Sequence, residues 1–290
     1  MHRLDVAIQH NPYSGPRNAQ AVLDKLVERL AERGYSSRVF DDRVVMAQAV
    51  GDVASDRQLR CIVAAGGDGT IADVINRFPH VPLAILPLGT ENLSAKYLGL
   101  RRSGRFLADI IAGGRTRKLD VGTVNGRRFL LMASIGFDAD VIHRLDAGRR
   151  GHIGKLTYLQ PIWQSLRKYP HPEFRLYVDG AEVPYSARLA VLANLPIYGF
   201  KLPVATSASA DDGQIDFRLF QPCSVFQIFR CFYKVALGIH ERSADVKSFR
   251  GLRARVESDE PVPIQADGDP VGFTPAEIGI EPAALDVFVP

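Results

Sequence analysis

Cysteine is scarce in this 290-residue chain: Cys61, Cys223 and Cys231 are the only three. Their number is odd and none forms a C-x-x-C pair, which argues against a disulfide framework or a zinc ribbon and suits a reducing cytoplasm. Long apolar runs are also missing. No stretch approaches 18 uninterrupted apolar residues, so a transmembrane helix is not expected, and the first residues lack the apolar region of a signal peptide. There is no strong charge bias: 36 Lys and Arg face 32 Asp and Glu, a surplus of +4. Without a dense basic stripe, nucleic acid is not an expected partner. A mild surplus is compatible with phosphate-bearing ligands or an anionic membrane surface. The seven histidines show no H-E-x-x-H or other ligand spacing, so no zinc is assigned. Internal repeats and low-complexity segments are absent.

What remains is an ordinary globular composition, 46% hydrophobic and 23% charged, at a length that suggests about two domains. The first part alternates strand and helix. Strands are predicted at residues 4–9, 37–40, 59–65 and 83–86, and helices at 18–33, 44–54, 71–78, 91–98 and 104–112. The strand 59–65 is wholly apolar after its first turn, as in a parallel sheet covered on both faces. Helical crossovers of this length imply a doubly wound sheet.

Near residue 115 the pattern changes. Asn125-Gly126 predicts a hairpin joining 118–124 to 128–134, and Asp179-Gly180 a second joining 174–178 to 183–193. Short strands follow at 215–220, 245–249, 252–257, 262–266, 276–280 and 285–289, with helices at 138–145, 156–168 and 225–237. This half reads as a mostly antiparallel β domain with helical insertions. The expected domains are 1–120 and 121–290, the last residues being candidates for return to the first domain.

Three polar, glycine-containing loops follow predicted parallel strands: Asn11-Pro12-Tyr13-Ser14-Gly15, Gly66-Gly67-Asp68-Gly69-Thr70, and Gly89-Thr90-Glu91-Asn92. Glycines let a backbone approach phosphates, and a helix N-terminus favours their charge. Ligands of open parallel sheets bind at the carboxyl ends of strands, so three such loops point to one nucleotide. A tight turn, or Thr90 or Asn92 as a helix cap, is the plainer reading of each loop alone. Gly67-x-Gly69-x-x-Ala72 matches a dinucleotide fingerprint only formally, because Asp68 would repel a pyrophosphate. A Walker A loop is absent.

Together these segments resemble the lipid kinase family that includes diacylglycerol and sphingosine kinases, closest in form to the bacterial diacylglycerol kinase-like and YegS-like proteins. The later segments Leu119–Gly126 (LDVGTVNG), Ser134–Val141 (SIGFDADV), Ala210–Asp216 (ADDGQID) and Gln265–Pro270 (QADGDP) agree, in the family's order. The resemblance implies a phosphofructokinase-like doubly wound α/β domain, an antiparallel β-sandwich domain, and ATP between them. It implies nucleotide contacts from Asn11, Ser14, Gly15, Gly66, Gly67, Asp68, Gly69, Thr70, Thr90 and Asn92. Asp267 matches the family's general base, with Asp68 as its rival. A structural Mg²⁺ would take the Asp212 side chain and main-chain oxygens of Ser209 and Gln214.

The chemistry is coherent on the residues alone. A carboxylate can take the proton of an attacking alcohol, and Mg²⁺ prefers oxygen ligands such as Asp68, Asp120, Asp212, Asp267 and Asp269. Asp179 reads as a plain turn residue. Three departures from the family pattern stand out: Leu93 where an Asp is usual, Asp269 where a Glu is usual, and Asp41 and Asp42 near a usual Thr. The first bears on the structural Mg²⁺ site.

The implied partner is a lipid substrate at a membrane surface, met peripherally from the cytoplasm, with a homodimer left open. The basic stretch from His143 to Lys155 could meet anionic headgroups. The aromatic residues Phe226, Phe229, Phe232 and Tyr233 read as a core-facing helix, with a lipid portal as the alternative. Two alternatives are kept: an NAD kinase, and a nucleotide- or lipid-binding protein that has lost catalysis.

Overall fold

The computed structural model describes residues 4–12, 19–54, 59–148, 155–222 and 224–290. It divides into two compact units, Met1–Leu119 with Ala283–Pro290, and Asp120–Pro282. Among the described residues no helix is long and apolar enough to cross a membrane.

The first unit is built on β1 (Val6–His10), β2 (Ser37–Phe40), β3 (Cys61–Gly66) and β4 (Leu83–Pro87). They lie parallel in the order β2-β1-β3-β4, and the end of a late strand, through Val287, adds beside Leu83 of β4. All residues of β1, β3 and β4 are buried, which explains the unbroken apolar character of β3 and β4; β1 ends in the buried polar pair Gln9 and His10. Helices α1 (Ala19–Glu32), α2 (Arg43–Ala54), α3 (Asp68–Arg77), α4 (Leu93–Tyr97) and α5 (Gly104–Gly113) alternate with or follow the strands. The first of these buries Ala19, Leu23, Leu26 and Leu30, a stripe at spacings of three and four residues. Because β1 sits between β2 and β3, chain direction diverges there, and the loops after β1, β3 and β4 share the carboxyl edge of the sheet. Burial pushes the Cys61 thiol up to about 12, so this cysteine is a core residue and not a nucleophile.

The second unit is a β-sandwich. One sheet is antiparallel in the order β12-β11-β10-β7-β14-β15, formed by Val246–Gly251, Ile215–Phe220, Leu189–Ala193, Met132–Gly136, Pro263–Ala266 and Asp269–Phe273. Facing it are β8 (Arg175–Val178), β9 (Ala181–Glu182), β13 (Arg253–Glu257) and β16 (Ala276–Phe288), with the pair β5 (Thr116–Val124) and β6 (Arg127–Phe129). The buried cluster that includes Phe129, Ile135, Phe174, Leu192, Phe217, Val256 and Ile264 fills the interior. Helices α6 (Phe137–Ala147), α7 (Leu159–Lys168) and α8 (Val225–Ala236) are the insertions. The doubly wound α/β unit and the antiparallel sandwich are the architecture expected from the sequence.

Three details differ from expectation. The segment 128–134 does not run on as one hairpin arm: β6 ends at Phe129 and β7, in the other sheet, starts at Met132. Likewise 183–193 splits: Val183 bonds back to Leu176 of β8 and Ala187 bridges Phe174, whereas Leu189–Ala193 join the other sheet. Sandwich strands change sheets at such breaks, and apolar patterning is the same in either sheet. The third is α8. It was read as presenting Phe226, Phe229, Phe232 and Tyr233 to a core, yet the residues it buries are Ile228 and Val235. Both the exposed aromatic stripe and the buried Ile228 and Val235 are apolar, so hydrophobicity alone does not say which of the two is covered.

A polar cluster lies on the opposite face of the first of these sheets, beneath α6. The Asp138 carboxylate accepts from Ser134 Oγ (2.5 Å), Tyr198 OH (2.7 Å) and Gln265 Nε2 (3.3 Å). Burial pushes its carboxyl above the usual range, outweighing these bonds, which favour the charged form. The unfolded chain then ionises Asp138 at lower pH than the folded one. Stability from this group therefore falls as pH rises from about 4, the usual carboxylate value, toward the raised folded value. Urea unfolding across that range should show an Asp138→Asn variant gaining on the wild type as pH climbs; parallel curves would mean that Asp138 titrates alike in both states.

Candidate active site

In the first unit two loops are locked together. The Gly66 carbonyl accepts from Leu88 N (2.9 Å) and Gly89 N (3.1 Å). The Asp68 carboxylate, at the start of α3, accepts from Leu93 N (2.9 Å) and Ser94 N (3.0 Å) at the start of α4. A helix begins with orphan N–H groups, and here a carboxylate from another loop caps them. Glycine is required where the loops touch, since a Cβ on Gly89 would lie 2.5 Å from the Gly67 Cα. Arg102 Nε bonds the Pro87 carbonyl (3.0 Å), its Nη2 the Gly89 carbonyl (3.1 Å), and Asn92 Nδ2 the same Gly89 oxygen (2.7 Å). Asn92 holds a left-handed backbone, φ 50°, and makes no side-chain cap of its own. The cap expected from Thr90 or Asn92 thus comes from Asp68.

Gly69 differs from its neighbours. It is exposed in the first turn of α3, and an added Cβ would meet nothing. Helical glycine costs about 0.5–1 kcal/mol relative to Ala, and nothing in the chain itself calls for it. Thr70 beside it is buried. Asn11 follows β1, its N–H on the Ala65 carbonyl (3.2 Å), and Thr90 is exposed after β4. Ser14 and Gly15 lie outside the described residues. The structure so gathers Gly66, Gly67, Asp68, Gly69, Thr70, Thr90 and Asn92 in one braced group.

In the second unit Asp267 and Gly268 form the turn between β14 and β15, with φ of 50° and 86°. The carboxylate accepts from three successive main-chain N–H groups: Leu130 at 2.7 Å, Leu131 at 2.9 Å and Met132 at 3.0 Å. These are the residues at which the chain leaves β6 for β7, so the strand break makes an anion-binding nest. Gln265 Oε1 accepts from Gly268 N (2.9 Å) and steadies the turn. Asn194, fully buried, donates to the carbonyls of Asp120 and Leu130, both at 2.9 Å. Sequence reasoning passed over Asn194 and Arg102. The signal for Asn194 was a lone amide inside an apolar run, Leu189 to Leu195; Arg102 carried none.

Ser209, Asp212 and Gln214 lie in one loop, which Asp120 holds by accepting from Gly213 N (2.6 Å). The Asp212 carboxylate accepts from Gln214 N (3.1 Å) through one oxygen and pairs with Arg250 through the other. Arg250 Nε also reaches Asp216 (3.1 Å), which is 1% exposed and shared with Arg218. The guanidinium thus supplies the positive charge at this carboxylate. As placed, the Asp212 carboxylate is engaged by Gln214 N and Arg250, and among the described residues no group of three or more His, Cys, Asp or Glu could hold a metal ion.

Comparison with known proteins agrees across both units. Residues 5–124 match the diacylglycerol kinase catalytic domain, and residues 132–289 the YegS C-terminal NAD kinase beta sandwich-like domain. A diacylglycerol kinase of Mycobacterium tuberculosis is 30% identical over 97% of this chain and 93% of its own length. That of Bacillus subtilis is 25% identical over 93% and 91%. The chain belongs to the YegS-like diacylglycerol kinase family. It is a kinase. A crystal structure described as a diacylglycerol kinase from Bacillus anthracis shares the fold, with TM-score 0.76, 22% identity, and coverage of 99% of this chain and 97% of that one.

The departures from the family's pattern now have neighbours. Leu93 is buried and gives its N–H to Asp68. Asp269 pairs with Arg127 at 2.9 Å. Asp41 meets His10 Nδ1 at 2.7 Å, and Asp42 caps α2 through the N–H groups of Val44 and Val45.

Two variants separate bracing from ligand approach. Asp68→Ala uncaps α4 and parts the loops, and should cost about 0.5–2 kcal/mol in urea unfolding together with a raised KM for nucleotide. Gly69→Ala should keep or raise the melting temperature while KM for nucleotide rises severalfold. An unchanged KM in Gly69→Ala would show that no ligand approaches this glycine.

Proposed function

We propose that this kinase transfers the γ-phosphoryl group of ATP to a hydroxyl of a diacylglycerol-like lipid, met at a membrane surface. The observation that carries the reading is the braced pair of loops at the carboxyl edge of the first unit, on a chain whose two halves both match this family. The nucleotide phosphates would lie against Gly66–Thr70, with Asn11, Ser14, Gly15, Thr90 and Asn92 completing the site. Magnesium, carried in with the nucleotide, supplies charge neutralisation on the phosphates.

Asp267 is the proposed base. The lipid O–H bond breaks as the new O–P bond forms, the proton passes to the Asp267 carboxylate, and ADP leaves with the electrons of the old P–O bond. Three main-chain N–H donors hold and aim this carboxylate. Asp68, whose two oxygens brace α4, is the rival base.

Purified protein with radiolabelled ATP and Mg²⁺ should label a diacylglycerol in a total lipid extract and leave NAD unlabelled. Asp267→Asn should lower kcat by about 10²–10⁴-fold with little change in nucleotide KM. Full activity in that variant would remove Asp267 from the base role. Nucleotide binding without labelling of any lipid would leave a binding protein, and labelled NAD would replace the lipid reading.

A further inference from the structure

Among the described residues, nothing covers the outer face of α8. Phe226 is 76% exposed, Phe229 58%, Tyr233 65% and Leu237 54%. At spacings of three and four residues they form one stripe, opposite the buried Ile228 and Val235. The inward face borders a cavity lined by apolar residues such as Leu189, Phe220 and Phe232 together with Asp138 and Tyr198, and buried Ile228 and Val235 seat the helix. Ser224 caps its N-terminus, accepting from Gln227 N.

Charge accompanies the stripe. The helix itself contains no acid, and Arg230 and Lys234 run along one edge of the aromatic face, four residues apart. Leaving out Arg250, which Asp212 and Asp216 take up, residues 224–247 hold four Lys or Arg against two acids, a surplus of two. One of those acids, Glu241, is taken up by Arg218. Arg230 and Lys234 share the other, Asp245, so the flank keeps a positive balance. Arg242 and Lys247, both exposed, continue it.

We infer that the aromatic face of α8 is a docking surface for an anionic lipid bilayer. An amphipathic or all-apolar helix with Phe and Tyr on one face and basic residues at its margin lies in the headgroup region with its axis in the membrane plane. The cations meet the negative surface potential while the rings enter the acyl boundary. A second copy of this chain fits less well, because two such faces would bring like-charged margins together. The inference gives the lipid-kinase reading its place of contact and is separable from it, since docking can be measured without turnover.

The test uses the full chain and a Phe226→Ser, Phe229→Ser, Tyr233→Ser variant, whose altered positions are exposed and outside the proposed catalytic residues. Sedimentation with vesicles of phosphatidylglycerol and phosphatidylcholine should retain the wild type and lose the variant by at least about tenfold in affinity, which is 1.4 kcal/mol. Pure phosphatidylcholine or high salt should weaken the wild type. Activity on a short-chain diacylglycerol in detergent micelles should stay within about twofold of wild type, which shows that the altered side chains serve docking and not chemistry. Equal vesicle binding by the two proteins overturns the inference. So does a wild-type dimer that the variant splits, with neither binding vesicles. If no lipid is phosphorylated at all, the functional reading fails while vesicle binding still decides the docking face.

Discussion

The Asp68 carboxylate, bonded to the N–H groups of Leu93 and Ser94, is the constraint on which the nucleotide half depends. It joins the loop after β3 to the loop after β4, and it does so at a helix start, where two N–H groups would otherwise go unpaired. Gly66 adds its carbonyl to the same junction, and Gly67 and Gly89 let the backbones touch. A carboxylate that looks out of place in a phosphate site is thereby accounted for: its charge is spent on main-chain donors. With those contacts made, Gly69 and Thr70 at the first turn of α3 and Thr90 after β4 stand on a rigid edge.

The second unit uses the same device twice. Asp179 and Asp267 both sit in Asp-Gly turns with positive φ, and both carboxylates accept from N–H groups of a neighbouring strand. Turn chemistry alone therefore does not separate a structural aspartate from a catalytic one. What differs is the surroundings. Asp179 holds Leu252 and Arg253 at a hairpin end, whereas Asp267 is seated in a nest made by a strand changing sheets and steadied by Gln265 and Asn194. The polar chain from Ser134 through Asp138 and Gln265 to the Asp267 turn is enclosed in apolar packing, where satisfied polar groups fix one arrangement.

Much of the fold was legible because strand and helix periods differ and the turn residues are explicit. The parallel strands, the Asn125-Gly126 turn and the helices near 104–112 and 138–145 follow from local pattern. The sheet changes at Leu130 and near Ala187 were not legible, because an apolar strand packs equally well in either layer. Nor was the outward face of α8, since its exposed aromatic stripe is as apolar as the face that packs inward. The loop of Ser209, Asp212 and Gln214 is similar. Its acids suggested a cation, but the charge comes from Arg250, nearly 40 residues along the chain.

By itself, the sequence determined the two-part architecture, the three glycine-bearing loops and the Asp-Gly turn. These rest on interactions between residues close in the chain: φ preferences, helix and strand periods, and the apolar fraction needed for a buried sheet. The tertiary structure alone decided what the acids do. Whether a carboxylate braces a helix, sits in a nest or pairs with an arginine depends on which N–H or guanidinium groups arrive from distant segments. Those partners are brought by packing, which is non-directional and leaves no mark at the positions where they meet.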